Sequence, residues 1–346
     1  MDGTRVALKS SSNLDQTHVP SECEAIVQEL IRVAKQMQLP ERPRLWLDEL
    51  PDQIALQDLM PSDYEKGKWD AHLPWLQVPI GLYDSPSTQS QGVLSIDFQR
   101  DGNLAIYGSV ASGKTNLIKT MMMSIGVHYD PKDVQIYGID CGGGSTTIFN
   151  SLPHVGGIAR DGETEKIEAM LKMLNDEIER RRQHFLEVAE GIVSLQEYRE
   201  VVKPDIPAWI FFVDNIVSFL QSYERLYDAL YSIVFKGASY GVYFVMSANT
   251  TTGYRSQINY HVPNRITLEM NDRADYAVIG KFQGVPLPDR PGRALYKGPL
   301  AMQIALFERG DNEAQRTQNL RVFLKQMNAE YDGPRAKRVP VLPERS

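Results

Sequence analysis

Cysteine is almost missing from this 346-residue chain. Cys23 and Cys141 are the only two, too few for a disulfide-stapled scaffold, so a reducing compartment is the simpler reading. Histidine is scarce, with six residues, and none has a spacing that suggests a transition-metal site. No apolar run approaches the ~18 residues that span a bilayer, and the N-terminal stretch lacks the apolar core of a signal peptide. Positive charge is in deficit. The balance of 37 Lys and Arg against 44 Asp and Glu leaves −7, which exerts no global pull toward nucleic acid or an acidic membrane. What remains is ordinary globular composition, 42% apolar and 23% charged, with room for one large domain or two smaller ones.

The first twenty residues read as a linker. Ser21 and Glu24 have capping-box spacing, and Ile26, Leu30, Val33 and Met37 then share one helical face. Pro40, Pro43 and Pro51 break the chain, and the Trp-, Leu- and Pro-rich stretch to Tyr83 has no clean period. It reads as an apron packed on a larger body. Short apolar runs follow at Leu104–Tyr107, Val134–Ile139, Trp209–Val213, Val242–Met246 and Ile266–Met270, separated by helix-like segments. The clearest helix runs from Glu165 to Phe185. Its polar face carries Arg180, Arg181 and Arg182, which read as a solvated surface paired with local Glu. Strands alternating with helices predict an α/β fold with a mostly parallel central sheet flanked by helices. Ala301–Phe307 could add a strand, and Gln315–Met327 a last helix. The expected organisation is a linker over 1–20, one domain over 21–330 with a helical, Pro-rich apron over 21–100, and an exit linker over 331–346.

Gly108, Ser109, Val110, Ala111, Ser112, Gly113, Lys114 and Thr115 match G-x-x-x-x-G-K-[ST] in full. An apolar strand precedes them and an apolar helical stretch follows, the context this phosphate-binding loop requires. The glycines let the backbone turn its N–H groups inward, and the helix N-terminus adds partial positive charge. Lys114 is placed to reach the β- and γ-phosphates, Thr115 to offer its hydroxyl to Mg²⁺, and Asn116 completes the cofactor-binding segment. A loop of this kind demands an acid at the end of a buried strand. Asp214, after five apolar residues, fits that metal-holding role. Position 215 then departs from the usual pattern: it is Asn215 where hydrolysing enzymes carry Glu, and an amide can orient water but cannot take its proton. Asn249, past the tip of the Val242 strand, is either a γ-phosphate contact or a turn former. His154 reads as a packed loop residue, and Tyr223, Tyr227 and Tyr231 as a packing stripe on a helix.

Further segments recur in order: Pro43–Leu47, Val78–Leu82 with Leu94–Phe98, Asp140, Ser151–Val155, Glu179–Arg182, Tyr276–Gly280, Pro291–Ala294 and Gln303–Leu306. Together with the phosphate loop they give a chain that resembles an ATPase module of the FtsK/SpoIIIE family, within the RecA-like, additional-strand P-loop class. It is similar in particular to the tandem cytoplasmic modules, the second or third, of the type VII secretion coupling ATPases (the EssC/EccC group). The resemblance implies ATP and Mg²⁺ as cofactors. It implies neighbouring ATPase modules and small helical secreted proteins as partners rather than nucleic acid. It also implies a cytoplasmic position at the inner face of the plasma membrane, with membrane contact only through upstream segments. Such modules receive an arginine in trans. Arg265, in Pro-Asn-Arg-Ile, resembles that residue, with Arg273 and Arg293 nearby. Asn215 and the glycine-poor interior of the phosphate loop imply a degenerate module, slow in hydrolysis or without it. The alternatives are a DNA translocase module of the same fold and a non-catalytic regulatory scaffold.

Overall fold

The structure, a computed structural model, describes residues 21–37, 47–60, 73–188, 191–280, 282, 287–297 and 300–340. The expected 1–20 linker, Pro40, Pro43, Pro286 and two of the apron tryptophans, Trp46 and Trp69, lie outside these. The chain divides into two units, residues 1–47 and 48–346. In the first, helix α1 (Glu22–Gln36) begins at the predicted capping box: the Ser21 hydroxyl accepts from the Glu24 N–H, and the Glu24 carboxylate accepts from the Ser21 N–H. None of its residues is buried. It lies within the first unit.

In the second unit a single 3-10 turn (Leu56–Leu59) precedes a hairpin, β1 (Gln77–Ser85) and β2 (Ser90–Asp97), followed by the short α2 (Phe98–Asp101). Then come β3 (Leu104–Tyr107), α3 (Lys114–His128), β4 (Val134–Asp140), β5 (Val155–Arg160), α4 (Thr164–Val188) and α5 (Leu195–Val201). They are followed by β6 (Ala208–Asp214), α6 (Ile216–Ser222), α7 (Tyr227–Gly237), β7 (Val242–Ala248) and α8 (Ser256–Tyr260). The chain continues through β8 (Asn264–Thr267), α9 (Arg273–Ile279), the hairpin β9 (Arg293–Tyr296) and β10 (Leu300–Ile304), and α10 (Glu313–Glu330). The ten strands among the described residues form one sheet in the order β2-β1-β10-β9-β8-β3-β7-β6-β4-β5. From β8 to β5 every pairing is parallel. From β8 outward to β2 every pairing is antiparallel.

Side chains alternate across the parallel strands, and both faces are covered. In β6, Ala208, Ile210 and Phe212 enter one apolar layer while Trp209, Phe211 and Val213 enter the other. The first layer is closed by α3 and by Leu320, Leu324 and Met327 of α10, the second by Ile167, Met170, Leu171, Leu174 and Ile178 of α4. This double burial is why the strands read as unbroken apolar runs.

Four expectations are corrected. The run Ile266–Met270 is a strand only to Thr267; Leu268 and Glu269 turn away to bond Tyr107 and Ser109 beside the phosphate loop. Arg181 is not on a solvated face. It is fully buried, donates to Glu177 and to the Tyr240 carbonyl, and lies over the Trp209 ring. Its neighbours Arg180 and Arg182 do pair with Glu177 and Glu179 at the surface. The tail is no free linker up to residue 340: the Ala336 and Val339 N–H groups bond the Pro153 and Gly156 carbonyls, and both side chains are buried. Residues 341–346 lie outside the described part. The tyrosine stripe also splits, because Tyr223 caps α6 while Tyr227 and Tyr231 stack on α7.

Candidate functional site

β3 ends at Tyr107, and the chain turns through Gly108–Gly113 into α3. Two residues of this loop have left-handed backbone, Ala111 at φ 64° and Gly113 at φ 109°. A side chain on Gly108 would start 2.3 Å from the Ser112 Oγ, so the loop closes only around glycine there. The first-turn N–H groups of α3 have no intrahelical acceptor, which suits them to meet an anion. Ser112 is buried, and its hydroxyl has no hydrogen-bond partner among the described residues. Lys114 folds its Nζ back onto the Gly108 and Ser109 carbonyls, at 2.7 and 2.6 Å. Burial lowers its pKa, opposed by the Asp214 carboxylate.

β7 lies between β3 and β6, so the phosphate loop and the strand-end acid flank an inserted strand. Asp214 ends β6 almost fully buried. Its Oδ2 accepts from Thr115 Oγ1 at 2.7 Å, and its Oδ1 from Ser247 Oγ at 2.6 Å. Burial raises the Asp214 pKa; the two hydroxyls and Lys114 act against that, and Asp140 reinforces it. Asp140 sits beside it in register at the end of β4. There the carboxylate is already met by the N–H groups of Gly142, Gly144 and Thr146 and by the Thr146 hydroxyl. Among the described residues the Asp214 carboxylate accepts only from hydroxyls, which can rotate to turn a lone pair toward a cation. A buried carboxylate whose charged form is disfavoured is a natural seat for a divalent cation. Gly142 makes room for it: a Cβ there would lie 2.6 Å from Asp214 Oδ2.

The two amides flanking this acid are placed differently. Asn215 has left-handed backbone at φ 64° and caps α6; its Oδ1 accepts from the Ser218 N–H, and its Nδ2 donates to the Ser218 hydroxyl at 2.6 Å. Its side chain is thus committed to its own helix. Asn249 carries a buried Oδ1 with no partner among the described residues. Ser247, two residues earlier, is the one that ties β7 to the acid, accepting from the Asn215 N–H while donating to Asp214. Spacing alone could not separate Ser247 from Asn249 at the strand tip.

Arg265 is brought near neither loop nor acid by any hydrogen bond among the described residues. It donates to the Ile279 carbonyl and to Asn259 Oδ1 within its own unit. Arg293 donates to the Leu50 carbonyl and pairs with Asp52. Arg273, at the start of α9, is exposed.

Beside Gly113, Lys114, Thr115 and Asn116 opens a cleft of about 600 Å³, walled by Asp52, Gln53, Arg290, Pro291, Gly292, Gln303 and Arg316. No signal at sequence level marked Gln303 or Arg316 as cleft residues. The residues fit a nucleoside triphosphate with Mg²⁺: a concave backbone donor loop, an orphaned serine hydroxyl, a half-buried lysine, a hydroxyl–carboxylate pair and an adjoining cleft.

Fold and site together define an additional-strand P-loop NTPase. The chain belongs to the FtsK/SpoIIIE family, whose model matches residues 65–304. Among curated relatives, an ESX secretion system protein EccC of Geobacillus thermodenitrificans is 27% identical over 331 residues, covering 94% of this chain and 21% of its own length. Two solved structures align at TM-score 0.75 and 25% identity, each covering 86% of this chain and 56% of the other. One is EssC (ATPases 2 and 3) of Geobacillus thermodenitrificans; the other is Thermomonospora curvata EccC (ATPases 2 and 3) in complex with a signal sequence peptide. The chain thus resembles single modules of type VII secretion ATPases and spans about a fifth of the length of such a relative.

Proposed function

We propose that this chain is an ATP-binding module of a type VII protein-secretion motor, cytoplasmic within a larger assembly, with little or no hydrolysis of its own. The observation that carries the reading is the cluster Thr115–Asp214–Ser247 directly beneath the phosphate loop. Lys114 and the loop N–H groups would hold the phosphates, and Thr115 and Asp214 the shell of Mg²⁺. The metal, when bound, supplies charge neutralisation at the β- and γ-phosphates.

Weak turnover follows from Asn215. A carboxylate that could accept a proton from water is missing at that position, and the amide present is held by Ser218. Arg265, already bonded inside its unit, is a poor donor in trans, which leaves the exposed Arg273 as the better candidate. Binding of nucleotide would then change how the module fits a neighbouring ATPase module or a small helical export substrate, as the peptide-bound relative suggests. Val110 at the loop tip is 81% exposed, an apolar group placed where a neighbour could sense the loop.

Titration of a fluorescent ATP analogue with and without Mg²⁺ tests the reading. Micromolar binding that Mg²⁺ strengthens supports it; no binding of any nucleoside triphosphate defeats it. Turnover near the ~10 s⁻¹ of a competent enzyme would contradict the degenerate role.

A further inference from the structure

The helix that begins with Lys114 carries a second lysine whose charge is poorly met. Lys119 of α3 is only 5% exposed, and its Nζ makes no hydrogen bond among the described residues. It has the Phe307 ring 5.3 Å away and one carboxylate, Glu313 at the start of α10, at 3.6 Å. The Glu313 side chain is itself 75% exposed. An ammonium withdrawn from water needs closer compensation than a solvated carboxylate supplies at that distance.

Lys119 lines a cavity of about 600 Å³ between α3, α10 and the 3-10 turn Ser145–Ser151. This space is separate from the nucleotide cleft. Among the described residues none of Gly108–Thr115 lines it, and the two cavities share only Glu313. Two arginines reach the cavity from other elements. Arg160, at the end of β5, is exposed, and its guanidinium donates to the neutral Thr147 hydroxyl. Arg321, two turns into α10, is exposed and has neither a hydrogen bond nor an ion pair among the described residues. Three cations from three elements therefore line a space with one carboxylate, an excess of two positive charges, and Ser145 and Thr317 add hydroxyls.

We infer that this cavity is a second anion site, distinct from the phosphate loop, and that its ligand is a small phosphorylated molecule. A phosphate group brings about −1.5 to −2 of charge, which matches the excess, and three acceptor oxygens. Those oxygens take an ammonium and a guanidinium at once, from different directions. A carboxylate brings half that charge and two oxygens in one plane. Lys119 is the buried anchor of the site and Arg321 its contact at the rim.

The test is a calorimetric titration of the whole chain with pyrophosphate, in a Lys114→Ala background that weakens the phosphate loop. One site is expected, with affinity falling as salt rises. Arg321→Gln, at an exposed position, is expected to weaken binding about fivefold. Lys119→Met keeps the apolar stem and is expected to weaken it more than tenfold. Malonate, of similar size with carboxylates in place of phosphates, is expected to bind about tenfold less tightly than pyrophosphate. Absence of pyrophosphate binding in the Lys114→Ala background overturns the inference, because any binding by the parent then belongs to the phosphate loop. Affinity unchanged by Arg321→Gln overturns it too, even where Lys119→Met fails to fold. Malonate binding as tightly as pyrophosphate overturns the assignment to phosphate.

Discussion

Replacing Asn215 with Glu supplies the carboxylate that hydrolysing relatives of the P-loop class carry, yet the structure predicts a damaged protein rather than a repaired one. Asn215 sits at φ 64° and ψ 71°, a left-handed conformation that asparagine tolerates and that costs other L-residues about 1 kcal/mol or more. It also accepts from the Ser218 N–H as the cap of α6, and losing such a cap costs about 1 kcal/mol. The two effects act on one residue without sharing a contact, so Asn215→Glu should lose about 2 kcal/mol. Urea unfolding reads this as a lower midpoint at unchanged slope. Asn215→Asp keeps the cap acceptor and much of the left-handed tolerance, and should lose less than ~1 kcal/mol. Asn215→Gly fits the backbone and forfeits only the cap, so it falls between them. Turnover of the Glu variant should stay far below ~10 s⁻¹, because the local backbone aims the side chain at Ser218. A Glu variant as stable as the parent, or one that hydrolyses ATP rapidly, would refute the capping argument.

Lys114→Ala should weaken ATP binding more than tenfold, or ~1.4 kcal/mol, in an equilibrium titration; unchanged affinity would remove its phosphate role. Glu177 supports the buried Arg181. Burial raises the Glu177 pKa, but Arg180 and Arg181 overcome this and hold it below its usual 4.5. Its contribution is therefore complete above that value and is lost as pH falls through the depressed one, so Glu177→Gln should flatten the acid limb of a stability–pH curve. At neutral pH the same variant should lose about 3 kcal/mol, since it leaves Arg181 buried without its anion. Val339→Asp should destabilise the domain by about 2 kcal/mol and promote aggregation, measured by melting and light scattering, because a charge would then lie buried against β5.

Much of this architecture was readable in advance, for a physical reason. β3, β4, β6 and β7 are covered on both faces, so each reads as an apolar run, and Asp140 and Asp214 mark the ends of β4 and β6. The phosphate loop is compressed into eight residues and keeps its meaning locally. β5 was hidden because Gly156 and Gly157 dilute its apolar signal; each would meet Tyr137 or Val339 if it carried a Cβ. Arg181 was misread because three consecutive arginines look solvated, and only the tertiary partners Glu177, Tyr240 and Trp209 draw the middle one inward. Ser247 and Gln303 gain their place from strand order, which brings β7 to Asp214 and β10 to the cleft. No window of sequence contains that information.

The strip from Ala336 to Val339 lies against β5, the outer strand of the parallel half, and Lys337 accepts from Tyr137, 200 residues earlier in the chain. During synthesis β5 emerges with its outer edge uncovered, and it stays so until Ala336–Val339 have been made. For that interval the nascent protein exposes an unpaired, apolar strand, the kind of surface that chaperones hold and that neighbouring copies can join. A chain truncated before Ala336 would thus keep every part of the phosphate site while its flank remains open to association.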